Sequence, residues 1–266
     1  KNFPWDGTDK LKFADIRWRN TCNAACLYCS SEYSSLWAKE NNDATALNRV
    51  QLSTIKEWLM PKLPTLERLT LAGGEPLLIK DNKEILDELY KTNKECKIFV
   101  STNLSIKTNI YDILMDFPTV EWMLSGENTD EKFEYVRYGS TWNTFSDNVT
   151  ELASCKPDTH VIGTNMVYHA LNVYNVFDYI GYLQDLGVSN FALGWVNHGP
   201  LDPKNLPSKV KEKAIDLLKD GEHAHLIELY NEKHSNQLDM LRNFLYNIDN
   251  KRNLNSKQLW PEIWNK

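Results

Sequence analysis

Hydrophobic residues along this chain fall into two alternating rhythms. Short, nearly continuous apolar runs read as β-strands at Leu11 to Trp18, Leu66 to Leu71, Lys97 to Ser101, Val120 to Leu124, His160 to Val167 and Asn190 to Val196. Between them, apolar positions recur every three or four residues, the period of a helix with one buried face. Asp81 to Tyr90 is the clearest of these. It starts with Asp81, has Glu84 at capping-box distance, and puts Ile85, Leu86, Leu89 and Tyr90 on one side. Val173, Val176, Phe177, Ile180 and Leu183 repeat in the same way, and Gly187 follows as a helix stop. Weaker helical patterns cover Ser53 to Met60, Lys107 to Met115 and Thr144 to Ala153. Strand, helix, strand at this spacing predicts βαβ units on a parallel sheet, because parallel neighbours need a crossover. Six units make either an open doubly wound sheet or a partly closed barrel, and periodicity does not separate the two. Both place ligands at the C-terminal ends of the strands. After Val196 the pattern changes: His198 to Pro207 holds three prolines, and a mainly helical stretch runs from Ser208 to about Ile248.

Composition narrows the function classes. The 266 residues are 42% hydrophobic and 25% charged, which suits a globular chain and excludes disorder, collagen and coiled coil for the whole. No apolar run approaches the roughly 18 to 20 residues that cross a bilayer. The first twenty residues carry Asp and Arg where a signal peptide needs an apolar centre, so no membrane role and a cytoplasmic location are expected. With 30 basic against 36 acidic side chains the net charge is −6, which gives no electrostatic reason to expect nucleic acid as a partner. The cysteines change the picture more. There are five, and Cys22, Cys26 and Cys29 fall within eight residues, unlike the spread of a secreted disulfide scaffold.

Cys22-Asn23-Ala24-Ala25-Cys26-Leu27-Tyr28-Cys29 is a CxxxCxxC loop following the first strand. Three thiolates from one short loop can converge on a soft metal centre, zinc or an iron–sulfur cluster. Structural zinc takes four ligands, usually from two pairs, and this chain has no second pair. Cys96 and Cys155 are isolated, and the histidines cluster only at His223 and His225. Three ligands leave one position open; in a cubane cluster that is an iron able to bind a small molecule and pass it an electron. The competing readings are three loop thiols without metal, or a structural zinc completed by a residue such as His198. The second motif is Gly73-Gly74-Glu75-Pro76, directly after the second strand. Two glycines let backbone approach a ligand closely, and a carboxylate beside backbone carbonyls can receive an ammonium group. In isolation the same four residues would be a turn.

Taken together, Arg17 to Ser35, the GGEPLL run, Ser101-Thr102-Asn103 and Tyr135 to Trp142 are similar to the radical S-adenosylmethionine (radical SAM) superfamily, in the branch with SPASM or twitch extensions. The resemblance covers residues 11 to 207. It implies an α/β fold: a partial (β/α)6 TIM-like barrel over residues 1–196, with a mainly helical extension over 197–266 in the twitch-like position. It implies one [4Fe–4S] cluster on Cys22, Cys26 and Cys29, with SAM chelating the open iron. Gly73, Gly74 and Glu75 would meet the SAM amino group, Tyr28 would lie near adenine, and Ser101, Asn103 and Ser125 would approach the carboxylate and ribose. Asn165 matches a polar position of the fifth strand.

The implied reaction is reductive cleavage of SAM to a 5′-deoxyadenosyl radical that abstracts hydrogen. A peptide or protein is the first substrate expectation, and flavodoxin or ferredoxin the electron donor; a nucleotide or carbohydrate comes second. The chain also departs from the branch. Ser125-Gly126-Glu127-Asn128 puts Glu127 where relatives carry Asp, and no auxiliary-cluster cysteine follows Cys155, so Cys96 and Cys155 read as ordinary thiols. Arg137 reads equally as a bidentate carboxylate ligand or a surface ion pair. Trp195 reads as core ahead of an adenine contact, and Met240, Trp260 and Trp264 read as core. The alternative functions are a non-catalytic iron–sulfur or zinc protein and a degenerate radical SAM scaffold.

Overall fold

A computed structural model of the chain describes residues 10–43, 52–219, 221, 223–231 and 237–265. The elements run β1 (Phe13–Ile16), α1 (Ser35–Glu40), α2 (Leu52–Leu59), β2 (Arg68–Leu71), α3 (Lys80–Asn93), β3 (Lys97–Thr102), α4 (Asn109–Met115) and β4 (Val120–Ser125). They continue through α5 (Asp130–Val136), α6 (Trp142–Cys155), β5 (Val161–Tyr168), α7 (Val176–Asp185), β6 (Asn190–Trp195), α8 (Ser208–Leu218), α9 (Glu228–Asn231), α10 (Leu238–Arg252), α11 (Ser256–Leu259) and α12 (Pro261–Trp264). All six expected strands form. They make one sheet in the order β1-β2-β3-β4-β5-β6, and β1 to β4 pair in parallel. The order never reverses, so the sheet is of the barrel type and not the doubly wound type, with β1 and β6 at its edges. Among the described residues no helix is long and apolar enough to cross a membrane.

The chain divides into two compact units, the first comprising Lys1–Ala25, Cys29–Ser125 and Thr144–Thr164. Its core is built from strand residues that alternate inward, Leu69 and Leu71 on β2, Ile98 and Val100 on β3, together with the buried face of α3 at Ile85, Leu86 and Leu89. Burial of each such side chain contributes about 1.5–3 kcal/mol. The start of α3 differs from expectation. Ile79 occupies the N-cap position without a side-chain cap, because Asp81 is drawn off by Arg19, at 2.9 Å, and by Lys56, at 3.3 Å, while Glu84 also pairs with Lys56. Tertiary ion pairs have displaced the local capping box.

The second unit comprises Cys26–Tyr28, Gly126–Asn143 and Asn165–Lys266. Trp260 is its largest buried anchor: the ring meets Tyr135 edge-on at 5.0 Å and Nε1 donates to the Leu171 carbonyl at 2.8 Å. Asp249 accepts from the Tyr135 hydroxyl at 2.8 Å and from the Ser256 hydroxyl at 2.7 Å, tying α5 to the C-terminal helices. Gly187 follows α7 at φ +78°, as expected of a helix stop, and Asn253 ends α10 in the left-handed region at φ 53°. Met240 and Trp264 are only partly buried, and Trp195, on edge strand β6, is 44% exposed; none of the three is core as expected. Residues 220, 222 and 232–236 of the expected C-terminal helical stretch lie outside the described residues.

Candidate active site

In the first unit the chain leaves β1 and reaches Cys22 through residues 17–21, and the turn after β2 holds that approach in place. Gly74 N–H donates to the Arg19 carbonyl at 3.1 Å and Glu75 N–H to the Thr21 carbonyl at 2.7 Å. The fit leaves no room for side chains. A Cβ on Gly74 would stand 2.3 Å from the Thr21 oxygen, and Gly73 has φ +114° with the Arg19 oxygen 3.0 Å from its would-be Cβ. The close approach that the glycine pair permits is thus to the chain's own backbone just ahead of Cys22. Past that point the loop is fastened again. The Ser35 hydroxyl accepts from Cys22 N–H at 3.0 Å and donates to its carbonyl at 3.2 Å, and Ser34 caps α1 while donating to the Ala24 carbonyl at 2.6 Å.

Glu75 is fully buried and spans two strand ends. Its Oε1 accepts from Leu77 N–H at 3.1 Å and from the Thr102 hydroxyl at 2.7 Å, and its Oε2 from Asn103 N–H at 2.8 Å. Asn103 in turn donates through Nδ2 to Asn23 in the cysteine loop at 3.0 Å and lies 4.0 Å from the Cys22 sulfur. The Cys22 sulfur also accepts from Ala24 N–H at 3.5 Å. Glu75, Thr102 and Asn103 therefore brace the ends of β2 and β3 to the loop. Ser101 near the end of β3 and Ser125 at the end of β4 are half-buried. Cys29 belongs to this unit and Cys26 to the other. All three loop cysteines are half-buried thiols, Cys96 is buried and Cys155 exposed. Burial pushes the Cys96 thiol up to about 11, which fits an inert core thiol.

The second unit holds Cys26 and Tyr28 through a buried charge cluster. Leu27 N–H donates to the Val136 carbonyl at 2.9 Å. The Tyr28 hydroxyl donates to Glu127 at 3.0 Å, and Arg137 grips both Glu127 oxygens, through Nε at 3.1 Å and Nη2 at 2.6 Å. Nη2 also reaches the Tyr28 hydroxyl, and Nη1 points to the Cys26 sulfur at 3.8 Å. Burial opposes charge on the guanidinium, but the neighbouring groups, Glu127 first among them, together more than offset it, so Arg137 stays protonated. Burial likewise raises the Tyr28 phenol well above its ordinary range, and it remains neutral. Arg137, 4% exposed, is the bidentate carboxylate partner and not a surface ion pair. Glu127 is the carboxylate that it holds.

His169 and Asn172, immediately after β5, escaped the sequence reading, although a polar residue just past a strand end was the available signal. The His169 ring tilts toward Tyr28 at 5.6 Å; its Nδ1 accepts from Leu171 N–H at 3.1 Å, so the proton sits on Nε2. Burial, then the nearby Arg137 charge, pushes its pKa down to about 3. Asn172 accepts from His169 N–H at 2.8 Å and donates to the Val167 carbonyl at 2.8 Å. Asn165 is half-buried on β5. Among the described residues, no three His, Cys, Asp or Glu side chains converge as they would on a single metal ion.

The family model described as the Radical SAM superfamily matches residues 16–173, more than half of the chain, and spans both motifs. No curated protein matches the chain. Among solved structures, Streptococcus suis SuiB bound to precursor peptide SuiA is similar at 14% identity and a TM-score of 0.50, covering 92% of this chain and 47% of that one. SuiB bound to S-adenosylmethionine is similar at 15% identity and 0.50, covering 70% and 40%. The structure of anSMEcpe with bound AdoMet and Cp18Cys peptide is similar at 12% identity and 0.53, covering 79% and 60%. At these identities the likeness is one of fold, and this chain spans between 40% and 60% of the length of those three. By the match that carries both the cysteine loop and the glycine turn, the chain belongs to the radical SAM superfamily.

Proposed function

We propose that the chain is a radical SAM enzyme in which Cys22, Cys26 and Cys29 hold one [4Fe–4S] cluster and SAM binds its open iron. The donor set fits. All three side chains are half-buried thiols of one loop, and two sulfurs face hydrogen-bond donors, Ala24 N–H at 3.5 Å and Arg137 Nη1 at 3.8 Å, which suits thiolates ligating a cluster. When bound, the cluster and SAM supply a one-electron cleavage that yields a 5′-deoxyadenosyl radical able to take hydrogen from a substrate. The reading assigns one cluster to these 266 residues, whose cysteines outside the loop are the isolated Cys96 and Cys155. The barrel would span 1–196, with 197–266 as an extension lacking its own cluster.

The protein's part is to bind, orient and exclude water. Gly73, Gly74 and Glu75 would meet the SAM amino group, with the Glu75 carboxylate fixed by Leu77, Thr102 and Asn103. Ser101, Asn103 and Ser125 would take the carboxylate and ribose, Tyr28 the adenine, and Asn165 a further polar contact. A peptide or protein side chain is the proposed substrate, in keeping with the peptides bound in SuiB and anSMEcpe, and a flavodoxin or ferredoxin the electron donor.

The observation that carries this reading is the backbone locking of the glycine turn onto the approach to Cys22, two motifs some fifty residues apart made into one construction. Anaerobic reconstitution with iron and sulfide, then dithionite and SAM, should give four irons per chain and 5′-deoxyadenosine. Cys26→Ala should lose both, and Cys155→Ala should keep its iron. Four irons without product would reject the enzyme, and iron loss in Cys155→Ala would reject the single cluster.

A further inference from the structure

We propose that the buried Glu127–Arg137 pair sets the reduction potential of the cluster, Arg137 as a donor to the Cys26 thiolate and Glu127 as the counter-charge that limits its pull. The inference rests on Cys26 being a cluster ligand. A guanidinium presents five N–H donors in a fixed fork. Glu127 occupies the Nε–Nη2 edge with both oxygens, at 3.1 Å and 2.6 Å, and this orientation directs the remaining nitrogen, Nη1, to the Cys26 sulfur at 3.8 Å. Backbone anchors hold both partners. Glu127 lies two residues past β4, and Arg137 closes α5 with its N–H on the Phe133 carbonyl at 2.8 Å. The Glu127 carbonyl is itself held by Asn172 Nδ2 at 3.4 Å.

Burial gives the pair its leverage. The side chains are 0% and 5% exposed, so solvent and salt screen their fields little. A buried ion pair is also weak evidence for stability, since desolvation offsets most of its attraction. Its effect on a neighbouring redox group is less ambiguous. Reduction adds negative charge to the cluster and its thiolates, which a cationic donor favours and a carboxylate opposes; hydrogen bonds to the sulfurs and net charge are the recognised levers on cluster potential. Arg137 should therefore raise the potential and Glu127 lower it. Arg137 is a positioning residue here, acting through Cys26.

The test is an EPR-monitored redox titration of the reconstituted protein, with iron counted on the same samples. Arg137→Gln should lower the midpoint and Glu127→Gln should raise it. Each is expected to change the oxidised-to-reduced ratio at fixed potential by roughly tenfold, about 59 mV for one electron. Arg137→Lys, which keeps the charge, should fall between wild type and Arg137→Gln. The double variant Glu127→Gln/Arg137→Gln carries no lone buried charge; it should also fall below wild type, and it keeps the test open if a single variant does not fold. Normal iron with unmoved midpoints, or single variants that shift in the same direction, overturns this inference alone. Full iron in Cys26→Ala overturns the ligand assignment, and this inference with it.

Discussion

Substituting Gly74 by Ala places one methyl group where the structure has no space. The new Cβ would lie 2.3 Å from the Thr21 oxygen, 2.7 Å from the Asn20 carbonyl carbon and 2.8 Å from the Asn20 oxygen. All three are backbone atoms, so no rotamer change relieves the contact. The two strands of chain must part by about 1 Å to reach ordinary van der Waals separation. That movement stretches the bonds from Gly74 N–H to Arg19 and from Glu75 N–H to Thr21. Two hydrogen bonds at about 1 kcal/mol each and an overpacking cost of about 1–3 kcal/mol give a loss of about 3–5 kcal/mol. The melting temperature of the apo protein should fall by on the order of 10 °C, and reconstituted iron should drop well below the wild-type value because Cys22 is displaced. Gly181→Ala is the matched control. Among the described residues nothing beyond its own helix lies within 4 Å of a Cβ placed there, it sits inside α7, and Ala there should stabilise by about 0.5–1 kcal/mol. A Gly74→Ala protein with wild-type melting temperature and full iron would refute the backbone locking described above.

Two further outcomes concern the second unit. His169 has its pKa lowered to about 3, against about 6.5 when unfolded, so the unfolded chain binds the extra proton between those values. Stability is fully present above about pH 6.5 and is lost as pH falls toward 3, by up to about 1.4 kcal/mol per pH unit; His169→Gln should flatten that part of a urea-unfolding pH series, and curves that stay parallel to wild type would contradict it. Asn253 ends α10 with φ 53° and ψ 50°. Asn253→Gly should be near neutral and Asn253→Ala should cost about 1 kcal/mol, read as a melting shift of about 2–4 °C; equal melting points for the two would remove the left-handed cap from the account.

What the sequence disclosed follows from which forces are local. Strands such as Leu66 to Leu71 and Val120 to Leu124 are short apolar runs bounded by turns, and a buried parallel sheet demands that pattern. The positions of both motifs at strand ends followed from it. What escaped depended on partners far along the chain. Asp81 carries a correct local capping signal, yet Arg19, 62 residues away, competes for its carboxylate. The need for glycine at 73 and 74 was legible, whereas the surface they approach, residues 19–21, was not. Arg137 read equally as a carboxylate ligand or a surface ion pair, and Glu127 as a replacement for Asp, because nothing in a ten-residue spacing announces that the two form a buried pair. Trp195 misled in the opposite direction: it read as core, but on edge strand β6 it is 44% exposed.

The locking of the glycine turn onto residues 19–21 uses main-chain atoms on both sides, and this divides the mutational freedom unevenly. The turn requires hydrogen in place of a side chain at two positions, while the facing segment contributes only carbonyls, which every residue possesses. The side chains of Arg19, Asn20 and Thr21 thereby take no part in that locking. Two have taken on other work, Arg19 holding Asp81 at 2.9 Å and Asn20 the Ser31 carbonyl at 2.9 Å. A chain built this way can drift at the approach to its first cysteine, acquiring new surface contacts, without moving the cysteine itself.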